Sequence, residues 1–380
     1  MTDPLMIKAS PMERSSPPTL LSIQALRAVA AAMVVIFHQV NAERVYGGGT
    51  TVLGGWAHLG YAGVDVFFVI SGFIMATVTA GRFGSRGGAV DFLAKRAIRI
   101  YPLYWLCTAA ILAVMFLRPA ALDPALADKN VLGSLLLLPI EGGPLLVVGW
   151  TLTYELYFYI LTAMALAMAS ERRVPALVAV WATALAVAQL VPVQGPWLSL
   201  VTSPLGFEFI AGVLAGLYWR RLSTGAAVFL LIASAVWLGI AYGLLIVSPD
   251  RGQSADVRAL AFGPPGLLTV AALARLELAG KVPVPRLAVA MGNASYALYL
   301  THVFVLSISG RIFSALGITG SVAGNCAFFV VTLSATFLVA LMVHHLVERP
   351  LMRLGGLAWR SVRDKSLRPF GLHAYDRGRH

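Results

Sequence analysis

Arg27 and His38 stand eleven residues apart in ALRAVAAAMVVIFHQV (25–40), a stretch otherwise suited to oil. A histidine can take a proton from a hydroxyl, and a guanidinium can hold a phosphate. At 100° per residue, eleven residues make about three turns plus roughly 20°, so on one helix the two side chains share a face, about 16 Å apart along the axis. Ionisable groups in apolar stretches are costly, and at membrane depth they mark candidate functional sites. Asp65 in GVDVFFVISGF (63–73), Glu155 in WTLTYELYFY (150–159) and Glu208 in SPLGFEFIAG (203–212) are three more. Lys95, Arg96 and Arg99 in KRAIRIYPLYW (95–105) form a cationic group in which Arg96 and Arg99 are i,i+3 neighbours. His302 closes GNASYALYLTH (292–302), and HHLVERP (344–350) carries His344, His345 and Glu348.

The elements that must position these residues are membrane helices. The 380 residues are 58% hydrophobic and only 12% charged, with a mean hydropathy of +0.79, where soluble domains carry about 25% charged residues. An all-α polytopic bundle follows, with about ten spans expected near 20–41, 59–80, 97–117, 150–170, 174–191, 203–219, 225–247, 259–279, 292–313 and 322–346. The apolar but broken LLLLPIEGGPLLVVG (135–149) reads as a re-entrant or interfacial loop. With ten spans both termini share a side. On that side the loops hold 22 of the 29 Lys and Arg, against six on the other, so both ends are expected in the cytoplasm. The net charge of +12 is thereby assigned to cytoplasmic loops and anionic lipid, and nucleic acid is not an expected partner. The expected organisation is a cytoplasmic segment 1–19, a membrane domain 20–350 and a basic cytoplasmic tail 351–380. Cys107 and Cys326 are too few for a disulfide framework or metal cluster, so no metal site is expected.

This topology puts Arg27 in the inner half of the first span and His38 near its outer end. It puts Asp65, Glu155 and Glu208 in the outer half as well, so that three carboxylates and a histidine converge there. A carboxylate beside His38 would hold its tautomer and steady the imidazolium. Plainer readings stand beside these. The basic group at 95–99 equally suits positive-inside anchoring, Asp65 a pair with Arg27, Glu348 a surface pair with Arg349, and His302 a core histidine. A cationic inner mouth joined to an outer histidine suits a phosphorylated donor whose reactive end reaches upward, and the Arg27–His38 separation is about the reach of a pantetheine arm. Acyl transfer from an acyl-CoA fits this map. A polytopic transporter of a sugar precursor or proton fits it too.

The chain resembles the bacterial membrane O-acyltransferases that modify surface polysaccharides, including O-antigen acetylases, Nod-factor acetylases and exopolysaccharide-production acyltransferases. The resemblance is carried, in order, by LRAVAAAMVVIFH (26–38), GVDVFFVISGFIM (63–75), KRAIRIYPLYW (95–105), WTLTYELYFY (150–159), FEFIAGVLAG (207–216), SYALYLTH (295–302) and ERP (348–350). With no appended periplasmic domain expected, the exopolysaccharide-production type is the nearest likeness. The resemblance implies an inner-membrane enzyme taking cytoplasmic acyl-CoA, usually acetyl-CoA, as donor substrate. It implies a carbohydrate hydroxyl on an exported polysaccharide or lipid-linked oligosaccharide as acceptor. It makes His38 the general base or transient acyl carrier, and Glu155 a residue that orients His38 or binds sugar. Arg27, Arg96 and Arg99 become donor contacts. Asp65 and Ser71 occupy family positions, Asp65 being the third catalytic candidate.

Overall fold

A computed structural model describes residues 20–48, 51–118, 126, 128–246, 254–318 and 320–367. The segment 1–19 and the end of the basic tail, 368–380, lie outside the described residues. Every regular element among the described residues is helical. In chain order these are α1 (Leu21–Tyr46), α2 (Ala62–Thr79), α3 (Arg86–Leu117), α4 (Val131–Leu135), α5 (Trp150–Met168), α6 (Val174–Ala188), α7 (Pro196–Val201), α8 (Gly206–Tyr218), α9 (Thr224–Ile246), α10 (Ala255–Leu278), α11 (Arg286–Asn293), α12 (Ser295–Ala315), α13 (Val322–Val343) and α14 (Arg349–Leu367).

Nine helical stretches among the described residues are long and apolar enough to cross a membrane. The expected span at 174–191 is α6, whose 15 residues make only about 22 Å of helix, short of a hydrocarbon core of about 30 Å. Two helices overrun their expected bounds by the most. α3 starts at Arg86, capped by the Ser85 side chain accepting from the Gly88 N–H at 3.0 Å, so the basic group lies within the helix. α13 passes through a π-helical turn at His344–Glu348 into α14, so the expected tail begins as ordered helix. α14 is tied back to α3 by Trp359 Nε1–H donating to Asp91 at 3.0 Å.

α2 is the central helix, with 12 of its 18 residues buried. Its tightest crossing is with α8, where small residues meet in register: Gly72 and Ala76 on α2, Gly212 and Gly216 on α8. A side chain at Gly212 would run into the Val69 carbonyl, and one at Gly72 into that of Phe209. With lipid outside as apolar as the helix surfaces, such backbone-to-backbone packing is what holds two helices together. α9, by contrast, is peripheral and turns Phe229, Ile232, Val236 and Leu244 outward. The first N–H groups of a helix have no partner within it, and Leu20 gives α1 no side-chain cap. Glu277, at the end of α10, accepts from the Leu21 and Ser22 N–H groups at 2.7 Å each. We call the end of the bundle where α1 starts the near end, and the opposite one the far end.

The segment 135–149, expected as a re-entrant or interfacial loop, follows the short α4 and packs into the bundle: Leu137, Leu145, Leu146 and Val148 are buried. Backbone inside an apolar bundle needs partners. α3 supplies them, with Tyr104 OH donating to the Ser134 carbonyl at 2.6 Å, Trp105 Nε1–H to Leu135 at 2.9 Å and Tyr101 OH to Leu136 at 3.2 Å. This loop delivers the start of α5 to the interior.

Candidate active site

α1, α2, α3, α5 and α12 enclose a cavity of about 240 Å3. It follows α2 from Val64 to Met75, about 16 Å of helix. Arg27, Arg96 and Arg99 line it with Glu155, so the three cations expected at the donor end meet in one place. Among the described residues none of these guanidinium groups makes an ion pair with a carboxylate. Arg27 donates to Gln24 Oε1 at 3.1 Å. Arg96 lies over the rings of Phe92 and Tyr159, 5.3 and 5.5 Å from their centroids, and Tyr159 OH donates to Glu155. Held by stacking, Arg96 keeps its donors for something else. Three cations facing one carboxylate across a void make an anion site. This volume, below the roughly 300–1,000 Å3 of pockets that enclose whole drug-sized ligands, suits a slim chain.

Glu155 is where the sequence reading needs correction. It does not share a level with His38; its electrostatic neighbours are Arg27 and the tyrosines Tyr159, Tyr296 and Tyr299. The cause is the buried loop at 135–149. α5 begins in the interior rather than at the far surface, beside the first turns of α12, where Tyr299 OH donates to the Val148 carbonyl at 2.9 Å and accepts from Thr151 Oγ1 at 2.8 Å. One further turn carries Glu155 down to the arginines.

His38 instead has another imidazole for company. Its ring meets that of His302 at a centroid distance of 4.8 Å and an angle of 68°. His302 had been noted in the sequence without a partner, because the two lie 264 positions apart on helices that only the fold brings side by side. The tautomer of His38 is held by its own helix: Nδ1 lies 2.9 Å from the Val34 carbonyl, so Nδ1 carries the hydrogen and Nε2 the lone pair. The role expected of a carboxylate falls to a backbone oxygen. Tyr299 joins the two regions. It lines the cavity, and its ring is 6.0 Å from that of His302 and 6.4 Å from that of Phe67.

Asp65 is engaged elsewhere. Its two oxygens accept from Nε and Nη2 of Arg258, both at 3.0 Å, in a bidentate pair that joins α2 to α10. Asp65 is fully buried and Arg258 only 8% exposed. The guanidinium also stacks on Tyr61 and Trp150, 5.3 and 5.7 Å from their centroids, and Glu208 adjoins the pair. The Arg27 pairing does not hold for Asp65, since both of its oxygens go to Arg258. Arg258 falls just before the expected span 259–279, whereas α10 starts early, at Ala255, and takes it inside. Glu348 is likewise buried, and its partner is His344, whose Nδ1 lies 2.7 Å from Oε2, while Arg349 faces His345. Ser71 lines the cavity beside Ser295, and the hydroxyls of both are buried with no hydrogen-bond partner.

A family model described as an acyltransferase domain matches residues 20–345. The exopolysaccharide production protein ExoZ of Rhizobium meliloti (strain 1021) is 34% identical over 305 residues, covering 78% of this chain and 91% of that protein. The acyltransferase MdmB of Streptomyces mycarofaciens is 27% identical over 377 residues, covering 89% and 92%. Nodulation protein 10 of Rhizobium leguminosarum bv. viciae is 28% identical over 373 residues, covering 87% and 92%. No solved structure matches the chain.

Proposed function

The chain belongs to the acyltransferase family whose domain spans residues 20–345, and from that premise we propose that it moves an acyl group from cytoplasmic acyl-CoA to a hydroxyl of an exported polysaccharide or lipid-linked glycan. The near end faces the cytoplasm in this reading, supported by the loops that hold 22 of the 29 Lys and Arg, and the enzyme sits in a bacterial inner membrane. The donor's phosphates rest on Arg27, Arg96 and Arg99. Its pantetheine arm runs along α2 through the cavity, and its thioester reaches past Tyr299 towards His38.

The observation that carries this reading is the cavity: three guanidinium groups without carboxylate partners, with His38 about 16 Å beyond Arg27 on the same helix. His38 Nε2 takes the proton of the acceptor hydroxyl while the oxygen attacks the thioester carbon. The C–O bond forms, the C–S bond breaks and the proton passes to the departing thiolate. Glu155, held by Tyr159, lies among the donor-binding arginines and offsets part of their charge. Asp65 acts through Arg258 as a scaffold for α2. Acetyl is the expected acyl group from the resemblance. An exopolysaccharide acceptor is suggested by what ExoZ is named for.

The donor assignment is tested by comparing acetyl-CoA with S-acetyl-N-acetylcysteamine, a thioester without phosphates, as donors for the purified protein. Strong preference for acetyl-CoA is expected. Equal use of the two would overturn the placement of phosphates on the arginines, and transfer from neither would overturn the acyl-CoA reading.

A further inference from the structure

His302 is fully buried in α12, and its environment is unusual for a core histidine. Its Nδ1 lies 3.1 Å from the Leu298 carbonyl, which places the hydrogen there and leaves the lone pair on Nε2. Nε2 is buried and has no hydrogen-bond partner. An unmet buried acceptor costs about 1–3 kcal/mol, so a position that retains one calls for a use. His38, in ring contact with it, is held in the same tautomer by the same device, a carbonyl four residues back. The pair thus holds two lone pairs and no proton between them.

We propose that His302 is the positioning partner of His38, its Nε2 accepting a hydrogen bond from the imidazolium that forms when His38 takes the acceptor's proton. The inference rests on the acyl-transfer reading above and adds a residue to it. In the resting state both Nε2 atoms are acceptors. The proton removed from the hydroxyl converts His38 Nε2 into a donor, and the His302 lone pair meets it. When the C–S bond breaks, the proton leaves for the thiolate and the pair returns to its starting state. The interaction exists only while the charge does, which is where stabilisation lowers a barrier.

The other titratable groups around the pair do not take this part. His58, from the 3-10 turn Gly55–Tyr61, is screened from His38 by Phe37, whose ring lies 6.3 Å from that of His58 and 5.0 Å from that of His38. Glu43, five residues further along α1, accepts from the Val52 N–H at 2.9 Å. Tyr299 spends its hydroxyl on Val148 and Thr151. Arg258 faces Asp65 and Glu208 from α10, and the residues buried on α13 nearest in character, Thr332 and Thr336, do not titrate.

The test compares wild type, His302→Phe, His302→Gln and His38→Ala in detergent, measuring kcat and the donor KM, with 15N-histidine spectra of the same samples. His302→Phe keeps a ring and loses the lone pair, so kcat is expected to fall about tenfold or more with donor KM unchanged. His302→Gln, with an amide oxygen as acceptor, recovers part of that loss. The 15N signal of His38 Nε2 moves when His302 is replaced. Wild-type kcat in His302→Phe, or an unmoved His38 signal, would overturn the proposal. Should His302→Phe fail to accumulate, the wild-type spectra decide alone: the two rings change together over one pH interval if they share a proton, and independently if they do not. Absence of transfer in the wild type would strike the donor reading, while the spectra would still judge the pair.

Discussion

Replacing Asp65 by Asn removes the charge held by two arms of the Arg258 guanidinium at 3.0 Å each. With Asp65 fully buried and Arg258 nearly so, solvent cannot stand in for the lost partner. Breaking a buried pair from one side costs about 3–5 kcal/mol, and Asp65→Asn belongs at the lower end because Glu208 remains beside Arg258. Arg258→Met belongs at the upper end, since it leaves Asp65 and Glu208 facing each other with no cation between them. Removing both charges of the pair, with Asp65→Asn and Arg258→Met together, leaves neither partner facing a lost charge and should cost less than Arg258→Met alone. The expected coupling between the two sites is therefore about 3 kcal/mol or more. Thermal unfolding in a mild detergent gives the order of stabilities, and acyl transfer measured on the same preparations separates scaffold from chemistry. If the double variant is as unstable as the sum of the singles, the pair is not the unit described. If it regains stability while transfer stays absent, Asp65 acts on the reaction itself and the scaffold assignment is wrong.

Arg96→Ala and Arg99→Ala should each raise the acyl-CoA KM by about 10–100-fold, the worth of one charge-assisted hydrogen bond, and leave the phosphate-free thioester unaffected; steady-state kinetics with both donors checks this. Gly212→Ala should destabilise the α2–α8 crossing by about 1–3 kcal/mol, because the added methyl meets the Val69 carbonyl, and Gly225→Ala, with open space around it, should not. A lowered melting temperature for the first alone is the expected result. Glu277→Ala should cost about 0.5–2 kcal/mol by leaving two N–H groups at the start of α1 unmet, with earlier amide exchange at Leu21 and Ser22 as the readout.

Much of the architecture was legible because a membrane helix announces itself by length and hydropathy, and nine of the ten expected spans match helices of crossing length. The gathering of Arg27, Arg96 and Arg99 was legible for a similar reason: all three fall at or near the inner ends of their expected spans, 20–41 and 97–117. Depth within the bundle was not. Glu155 was misplaced because the loop at 135–149 packs into the bundle and starts α5 in the interior, and nothing in WTLTYELYFY records where the preceding segment has taken the chain. Arg258 was missed because a guanidinium two residues past an acidic residue, Asp256, looks like loop, and its neutralising partner is 193 positions away. The His38–His302 contact and the glycine approaches between α2 and α8 share that character. Each residue was visible, but its meaning depends on a neighbour that only the fold supplies.

The central claim is that His38 completes acyl transfer to a glycan hydroxyl from a donor held by the arginine cavity. It is tested most directly by following labelled acetyl from acetyl-CoA into exported glycan, in membranes carrying equal amounts of wild type or His38→Ala. The account predicts base-labile ester label on the glycan with wild type and none with His38→Ala. Undiminished labelling with His38→Ala would contradict it.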